Sequence, residues 1–76
     1  METSVNLITN LIQHNCIMYG QAKVTNLHLY LIQKLYNNKF NTVTINAAKV
    51  AVKVTLNKLA KNHTILIVNN NIYLTI

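Results

Sequence analysis

Residues 46–61, NAAKVAVKVTLNKLAK, carry two stripes of opposite character at the spacing of an α-helix. The polar stripe recurs at every fourth position and consists of Lys49, Lys53, Asn57 and Lys61. The other stripe is apolar and consists of Ile45, Ala48, Val52, Leu56 and Leu59. Because each residue of a helix is turned by about 100° from the last, the two stripes face roughly opposite ways. We expect one side to pack on a core and the other to offer amines and an amide to an anionic partner.

A hairpin is predicted directly after this helix. Residues 64–68, TILIV, are β-branched and apolar, which is typical of a strand. The run Asn69, Asn70 and Asn71 is a natural turn, since asparagine tolerates left-handed backbone conformations. Residues 72–76, IYLTI, return as the second strand. This hairpin is expected to cover the core, and contact of its tip with nucleic acid is an additional hypothesis.

The formal charge of the chain is +6, and lysine is its only source. Arginine and aspartate are absent, and Glu2 is the only acidic residue. Such an unbalanced positive field favours polyanionic partners. Lysine contacts phosphate as a point charge, whereas the bidentate fork that reads guanine edges belongs to arginine. The composition therefore predicts recognition of nucleic-acid backbone and shape rather than of bases.

The same composition argues against an enzyme or a metal protein. General acid–base catalysis needs paired histidines or carboxylates, and here three histidines are scattered and Glu2 lies at the terminus. His14 and Cys16 have no second ligand pair, and a lone cysteine forms no internal disulfide. We expect no cofactor, no bound metal and no small-molecule substrate.

No segment of the sequence predicts a membrane span or an export signal. An apolar run of the ~18 residues that a span requires is missing, and the N-terminus lacks the pattern of a signal peptide. The expected location is the cytoplasm.

Two further helices are predicted before residue 37. The first is capped at Thr3 or Ser4 and ends at Asn15, with apolar residues at helical spacing at Val5, Ile8, Leu11 and Ile12. Residues 16–19 are predicted to be extended, and Gly20 breaks the pattern. The second helix runs from Gln21 to Tyr36, with a packed, neutral His28 and a buried stripe of Val24, Leu27, Leu31, Ile32 and Leu35.

Residues 39–44 are ambiguous. The alternation of threonine with Val43 and Ile45 favours a strand. The same residues can also form a short helix that buries Phe40, Val43 and Ile45, with Asn46 and Ala47 as the turn before the lysine-bearing helix.

The order helix, helix, short element, helix, hairpin is that of a winged helix-turn-helix domain. We therefore predict an α+β fold with three helices, a C-terminal β-hairpin and an extra N-terminal helix. One domain spans residues 1–76, with residues 1–15 as an N-terminal helix or extension and residues 16–76 as the winged-helix core.

Residues 15–76 resemble the eukaryotic and archaeal family of small-subunit ribosomal proteins numbered twenty-five. The similarity lies in residues 17–27 (IMYGQAKVTNL), in residues 45–65 (INAAKVAVKVTLNKLAKNHTI) and in the last strand, residues 72–75 (IYLT). The chain departs from the family at Lys49 and His63, where the family usually has glycine, and the family's lysine-rich N-terminal tail has no counterpart. His63 must therefore adopt the left-handed backbone conformation that glycine takes at this helix end, or the helix must end in another way.

The resemblance implies a structural protein of the small ribosomal subunit in the cytoplasm, with ribosomal RNA and neighbouring subunit proteins as partners. The residues expected to bind nucleic acid are Asn46, Lys49, Lys53, Asn57, Lys58, Lys61, Asn69, Asn70 and Asn71.

Two other functions stay open. One is a winged-helix DNA-binding regulator or small chromatin protein, which would typically carry arginine. The other is a protein–protein module whose lysine stripe is merely solvated.

Overall fold

The computed structural model describes residues 2–75, and of Glu2 the backbone only. Within this range the chain forms three helices and a small antiparallel sheet of three strands, which confirms the α+β class. The elements follow in the order α1 Glu2–Tyr19, β1 Ala22–Lys23, α2 Val24–Leu35, α3 Thr42–Lys61, β2 Ile65–Val68 and β3 Asn71–Leu74. The sheet has the order β1-β3-β2, so the last strand lies in its centre.

All of these elements contribute to one apolar core. From the helices come Ile8, Ile12, Leu27, Leu31, Ile32, Ala48, Val52 and Leu56, and from the sheet Ala22, Ile65 and Ile72. Thr55 is also buried, and its hydroxyl donates to the carbonyl of Ala51 at 2.8 Å. The apolar stripes predicted for the three helices therefore face this core, except for Leu35 at the end of α2.

The first helix is longer than the sequence pattern predicts. It does not end at Asn15, and residues 16–19 are helical rather than extended. Gly20 ends the helix with a φ of 81°, and its N–H donates to the carbonyl of Cys16 at 2.9 Å. Glycine takes a positive φ without steric cost, so Gly20 ends the helix more readily than Asn15 does. The prediction of an extended stretch is therefore wrong.

The second helix begins three residues later than predicted, because Ala22 and Lys23 form a short strand. Ala22 pairs with Ile72 and Lys23 with Asn71. The N–H of Val24 donates to the carbonyl of Asn70 at 3.0 Å, which satisfies one unpaired donor at the start of α2. At its other end Leu35 is exposed, contrary to prediction, since it is the last residue of α2, and Asn37 and Asn38 turn the chain away shortly after it.

Residues 39–44 form neither a strand nor a separate short helix, so both predictions are wrong. The third helix begins at Thr42 and runs without a break for 20 residues, through the predicted turn at Asn46 and Ala47. The Asn41 side chain accepts from the N–H of Thr44 at 2.9 Å, and the Thr44 hydroxyl accepts from the N–H of Asn41 at 3.1 Å. This capping box fixes the helix start, so the chain has one helix fewer than predicted.

The hairpin is confirmed, with a shorter turn than the predicted one. Asn71 already belongs to β3, and the turn consists of Asn69, with a φ of 57°, and Asn70. Val68 pairs with Asn71 across this two-residue turn. Residue 76, predicted to end the second strand, lies outside the described residues.

Candidate nucleic-acid interface

Helix α3 presents every nucleic-acid-binding residue predicted on it to solvent. These residues are Asn46, Lys49, Lys53, Asn57, Lys58 and Lys61. The opposite side of the helix is buried through Thr44, Ala48, Val52, Thr55 and Leu56. The amphipathic spacing therefore positions the polar groups outward on a helix held by the core, as the sequence predicts.

The lysines of α3 have almost no acidic side chain available to neutralise them. Glu2 is the only carboxylate side chain of the whole sequence, and its single negative charge offsets that of one lysine at most. Lys58 and Lys61 lie in the last turn of α3, where they also interact favourably with the negative end of the helix dipole. The surface of α3 therefore carries uncompensated positive charge along most of its length.

His28 of α2 lies close enough to this surface to be affected by it. Burial of the imidazole lowers the pKa of His28 from its usual 6.5, and the charge of Lys49 lowers this pKa further. Both causes disfavour the protonated ring, so His28 is neutral at neutral pH. This agrees with the packed, neutral histidine that the sequence predicts.

The tip of the hairpin is fastened to the start of α2. The Asn70 side-chain amide donates to the hydroxyl of Thr25 at 3.2 Å, and the Asn70 carbonyl accepts from Val24. Asn69 and Asn70 are exposed, whereas Asn71 is half-buried in the sheet. The predicted site thus has two parts, the outward side of α3 and the hairpin tip beside the start of α2. At the tip, the exposed Lys23 of β1 is the strand partner of Asn71.

Helix α3 also exposes three valines, and the prediction that Phe40 and Val43 are buried in a short helix is wrong. The exposed fractions of Val43, Val50 and Val54 are 77%, 58% and 45%. Their spacing in the sequence is the signal for this surface, since they stand seven and then four positions apart, which places them on one side of a helix. The outward side of α3 is therefore mixed, with apolar groups beside the amines and amides.

A cleft of about 470 Å³ lies between α1 and α2. Its polar lining consists of the amides Asn15, Gln21, Asn26 and Gln33, together with Tyr19, Tyr30 and Lys23. The α2 residues in this lining lie on the side of the helix away from His28 and Lys49. No histidine, cysteine or carboxylate belongs to this lining.

Neither a metal site nor a membrane span occurs in the part of the chain that the structure describes. No group of three or more His, Cys, Asp or Glu side chains lies together there. None of its helices is both long and apolar enough to span a bilayer.

No protein-family model, curated protein or solved structure matches this chain. Function is therefore inferred from the surface of α3, the topology and the charge.

Proposed function

We propose that this protein binds a nucleic-acid duplex without catalysing a reaction, as a winged-helix domain whose recognition helix is α3. The order of the elements supports this architecture. Helices α2 and α3 follow each other through a short connection, and β2 and β3 form a hairpin directly after α3. The strand β1, between α1 and α2, pairs with β3. A helix-turn-helix of this kind places its second helix against the nucleic acid.

The observation that carries the proposal is the set of four exposed lysines on α3, in a chain with one acidic side chain. Each lysine that neutralises a phosphate releases about 0.9 counterion from B-form DNA. If all four engage, affinity falls roughly 100-fold between about 50 and about 200 mM salt. A face that was merely solvated would show no such dependence.

Duplex DNA is the target that the geometry of α3 favours. The major groove of B-form DNA is about 12 Å wide and admits a helix, whereas the major groove of A-form RNA is too deep and narrow to be read by side chains. The outward side of α3 is exposed from Thr42 to Lys61, apart from the half-buried Ala47 and Ala60. A long, free helix face of this kind fits the wider groove.

Ribosomal RNA of the small subunit is the second candidate. The segments that resemble the ribosomal family lie at the end of α1 and in β1–α2, in α3 and the start of β2, and in β3. Sedimentation through a sucrose gradient separates the two targets. Co-migration with free small subunits that resists high salt would favour ribosomal RNA, and a position near the top of the gradient would argue against it.

Charge reversal at two sites tests the proposal. The variant Lys49→Glu with Lys53→Glu alters exposed side chains, so the fold should be retained, as circular dichroism can check. We expect its affinity for a duplex of about 20 base pairs to fall more than tenfold, because two phosphate contacts become repulsive. The measurement is fluorescence anisotropy of a labelled duplex.

The matched control is Lys34→Glu with Lys39→Glu, which alters two exposed lysines outside α3. Each variant replaces two positive charges by two negative ones, so both change the net charge from +6 to +2. Long-range attraction is therefore weakened equally, and the difference in affinity reports direct contact. Equal losses in the two variants would contradict a binding face on α3.

A further inference from the structure

The exposed valines of α3 call for an explanation, because nothing in the described fold covers them. Val43 is 77% exposed and Val50 58% exposed, on the same helix that buries Ala48 and Val52. At about 100° per residue, Val43, Val50 and Val54 share an arc of about 80° with Asn46 and Asn57. We name these five side chains the central arc of α3. Its valines span about 16 Å along the helix, which is the length of about five base pairs.

Lysines border the central arc on both sides. Lys49 and Lys53 lie on one side and Lys58 on the other, and Lys61 continues the arc at its C-terminal end. All four are exposed. A second copy of the chain is a poor occupant of this face, since symmetric contact would bring these lysines against one another. A nucleic-acid duplex is a good occupant, because its phosphates flank the major groove on both sides.

We propose that the central arc reads A·T base pairs in the major groove, a specificity that rests on the proposed function and deepens it. Thymine presents a methyl group there, and apolar side chains make contact with it. Adenine presents an N6 donor and an N7 acceptor, which an asparagine amide matches with two hydrogen bonds. The valines therefore cover thymine methyls, and Asn46 and Asn57 bind adenines.

The composition of α3 supports A·T over G·C pairs. Arginine, which together with lysine makes the commonest contact to guanine, is absent from the chain, and Lys49, Lys53 and Lys58 lie outside the central arc. Acceptors for the cytosine amine are also missing, since neither aspartate nor glutamate lies on α3. The lysines stand mainly at the borders of the arc, where the groove brings phosphates rather than base edges.

Modified duplexes test this specificity one atom group at a time. Affinity is measured for an A·T duplex, for the same duplex with deoxyuridine in place of thymidine, for one with 7-deazaadenine, and for a G·C duplex. We expect the A·T duplex to bind about tenfold more tightly than the G·C duplex. Loss of the thymine methyls should weaken binding several-fold, and so should loss of adenine N7.

Two variants connect these losses to the central arc. Val50→Ala should remove much of the difference between the thymidine and deoxyuridine duplexes, and Asn57→Ala should reduce the sensitivity to 7-deazaadenine. Leu29→Ala is the matched control, because Leu29 is an exposed apolar residue of α2. It should leave both differences unchanged.

The outcomes separate the specificity from the proposed function. Salt-dependent binding with equal affinity for all four duplexes would overturn A·T reading and leave backbone binding intact. Absence of duplex binding would overturn both. A dimer detected by light scattering and dissociated by Val50→Lys would show that the valines form a protein interface, which would also overturn the specificity.

Discussion

Four non-glycine residues of the described chain hold left-handed backbone conformations, and three of them are asparagines: Asn37, Asn38 and Asn69. Asparagine tolerates this region better than most residues, so part of the chain's asparagine content serves its turns. The fourth is His63, with a φ of 59°. Its N–H donates to the carbonyl of Ala60 at 3.0 Å, and that of Thr64 to the carbonyl of Leu59 at 3.0 Å. These bonds form a Schellman motif in which histidine occupies the position usual for glycine.

Replacing His63 by glycine should stabilise the protein. His63→Gly keeps the two backbone bonds and removes the cost of a left-handed β-carbon, a gain of about 1 kcal/mol that raises Tm by about 4–8 °C. Thermal unfolding followed by circular dichroism measures the shift. Asn62→Gly is the matched control, since φ of Asn62 is −85° and glycine brings no relief there. Equal changes in the two variants would contradict strain at His63.

The stability of the fold should depend on the protonation of His28. Its pKa in the folded state lies below 6.5, so the unfolded chain binds more protons between that pKa and about pH 6.5. The free energy of unfolding is therefore highest above about pH 7 and falls as the pH drops below about 6.5. Urea unfolding at about pH 7.5 and about pH 5.5 measures this loss.

Two variants isolate the contribution of His28. His28→Gln should unfold with a smaller pH dependence, because the titrating imidazole is gone. Lys49→Gln should reduce the dependence in part, since the lysine charge is the second cause of the lowered pKa. A wild-type dependence that persists unchanged in His28→Gln would assign the effect to other groups.

At the scale of elements, the start of α3 shows where local pattern was insufficient. Threonine alternating with Val43 and Ile45 is too short to distinguish a strand from a helix start. The decision lies in Asn41 and Thr44, whose reciprocal hydrogen bonds cap the helix. Thr44 is also buried, so tertiary packing and the cap act together to extend α3 toward the N-terminus.

Removing the cap should weaken the whole domain. Asn41→Ala should lower the free energy of unfolding by about 1 kcal/mol. Asn41→Asp should retain most of the stabilisation by the cap, because a carboxylate also accepts from the Thr44 N–H. Chemical denaturation measures both. Asn46→Ala is the control within the same helix, and it should not destabilise, since alanine is the better helix former. A loss in Asn46→Ala as large as that in Asn41→Ala would contradict the capping role.

The elements that the sequence predicted correctly are those with several residues of clear periodicity. The exposed lysines and buried apolar stripe of α3 follow from spacing alone, whereas the hairpin follows from two β-branched, apolar segments around a run of asparagines. The strand β1 could not be predicted, because two residues carry no pattern and their partner on β3 lies 48 to 50 positions away. The end of α1 could not be predicted from Asn15, because the positive φ that ends this helix is adopted by Gly20.

At the scale of the whole molecule, a single core supports a predominantly positive surface. Three helices and a small sheet share that core, so α3 is held along its buried side while its outward side stays free. A net charge of +6 on 76 residues disfavours self-association and favours a polyanion. The exposure of the valines could not be predicted from composition, since it depends on which side of α3 the core covers.

The salt dependence of duplex binding tests the central claim, that the lysines of α3 contact phosphates, most directly. Anisotropy titrations across a series of salt concentrations should give a slope of log K against log salt of about −3.6 for the wild type. The slope should become shallower, about −1.8, for Lys49→Gln with Lys53→Gln. It should stay near the wild-type value for Lys34→Gln with Lys39→Gln. A wild-type slope near zero, or equal slopes in the two double variants, would contradict it.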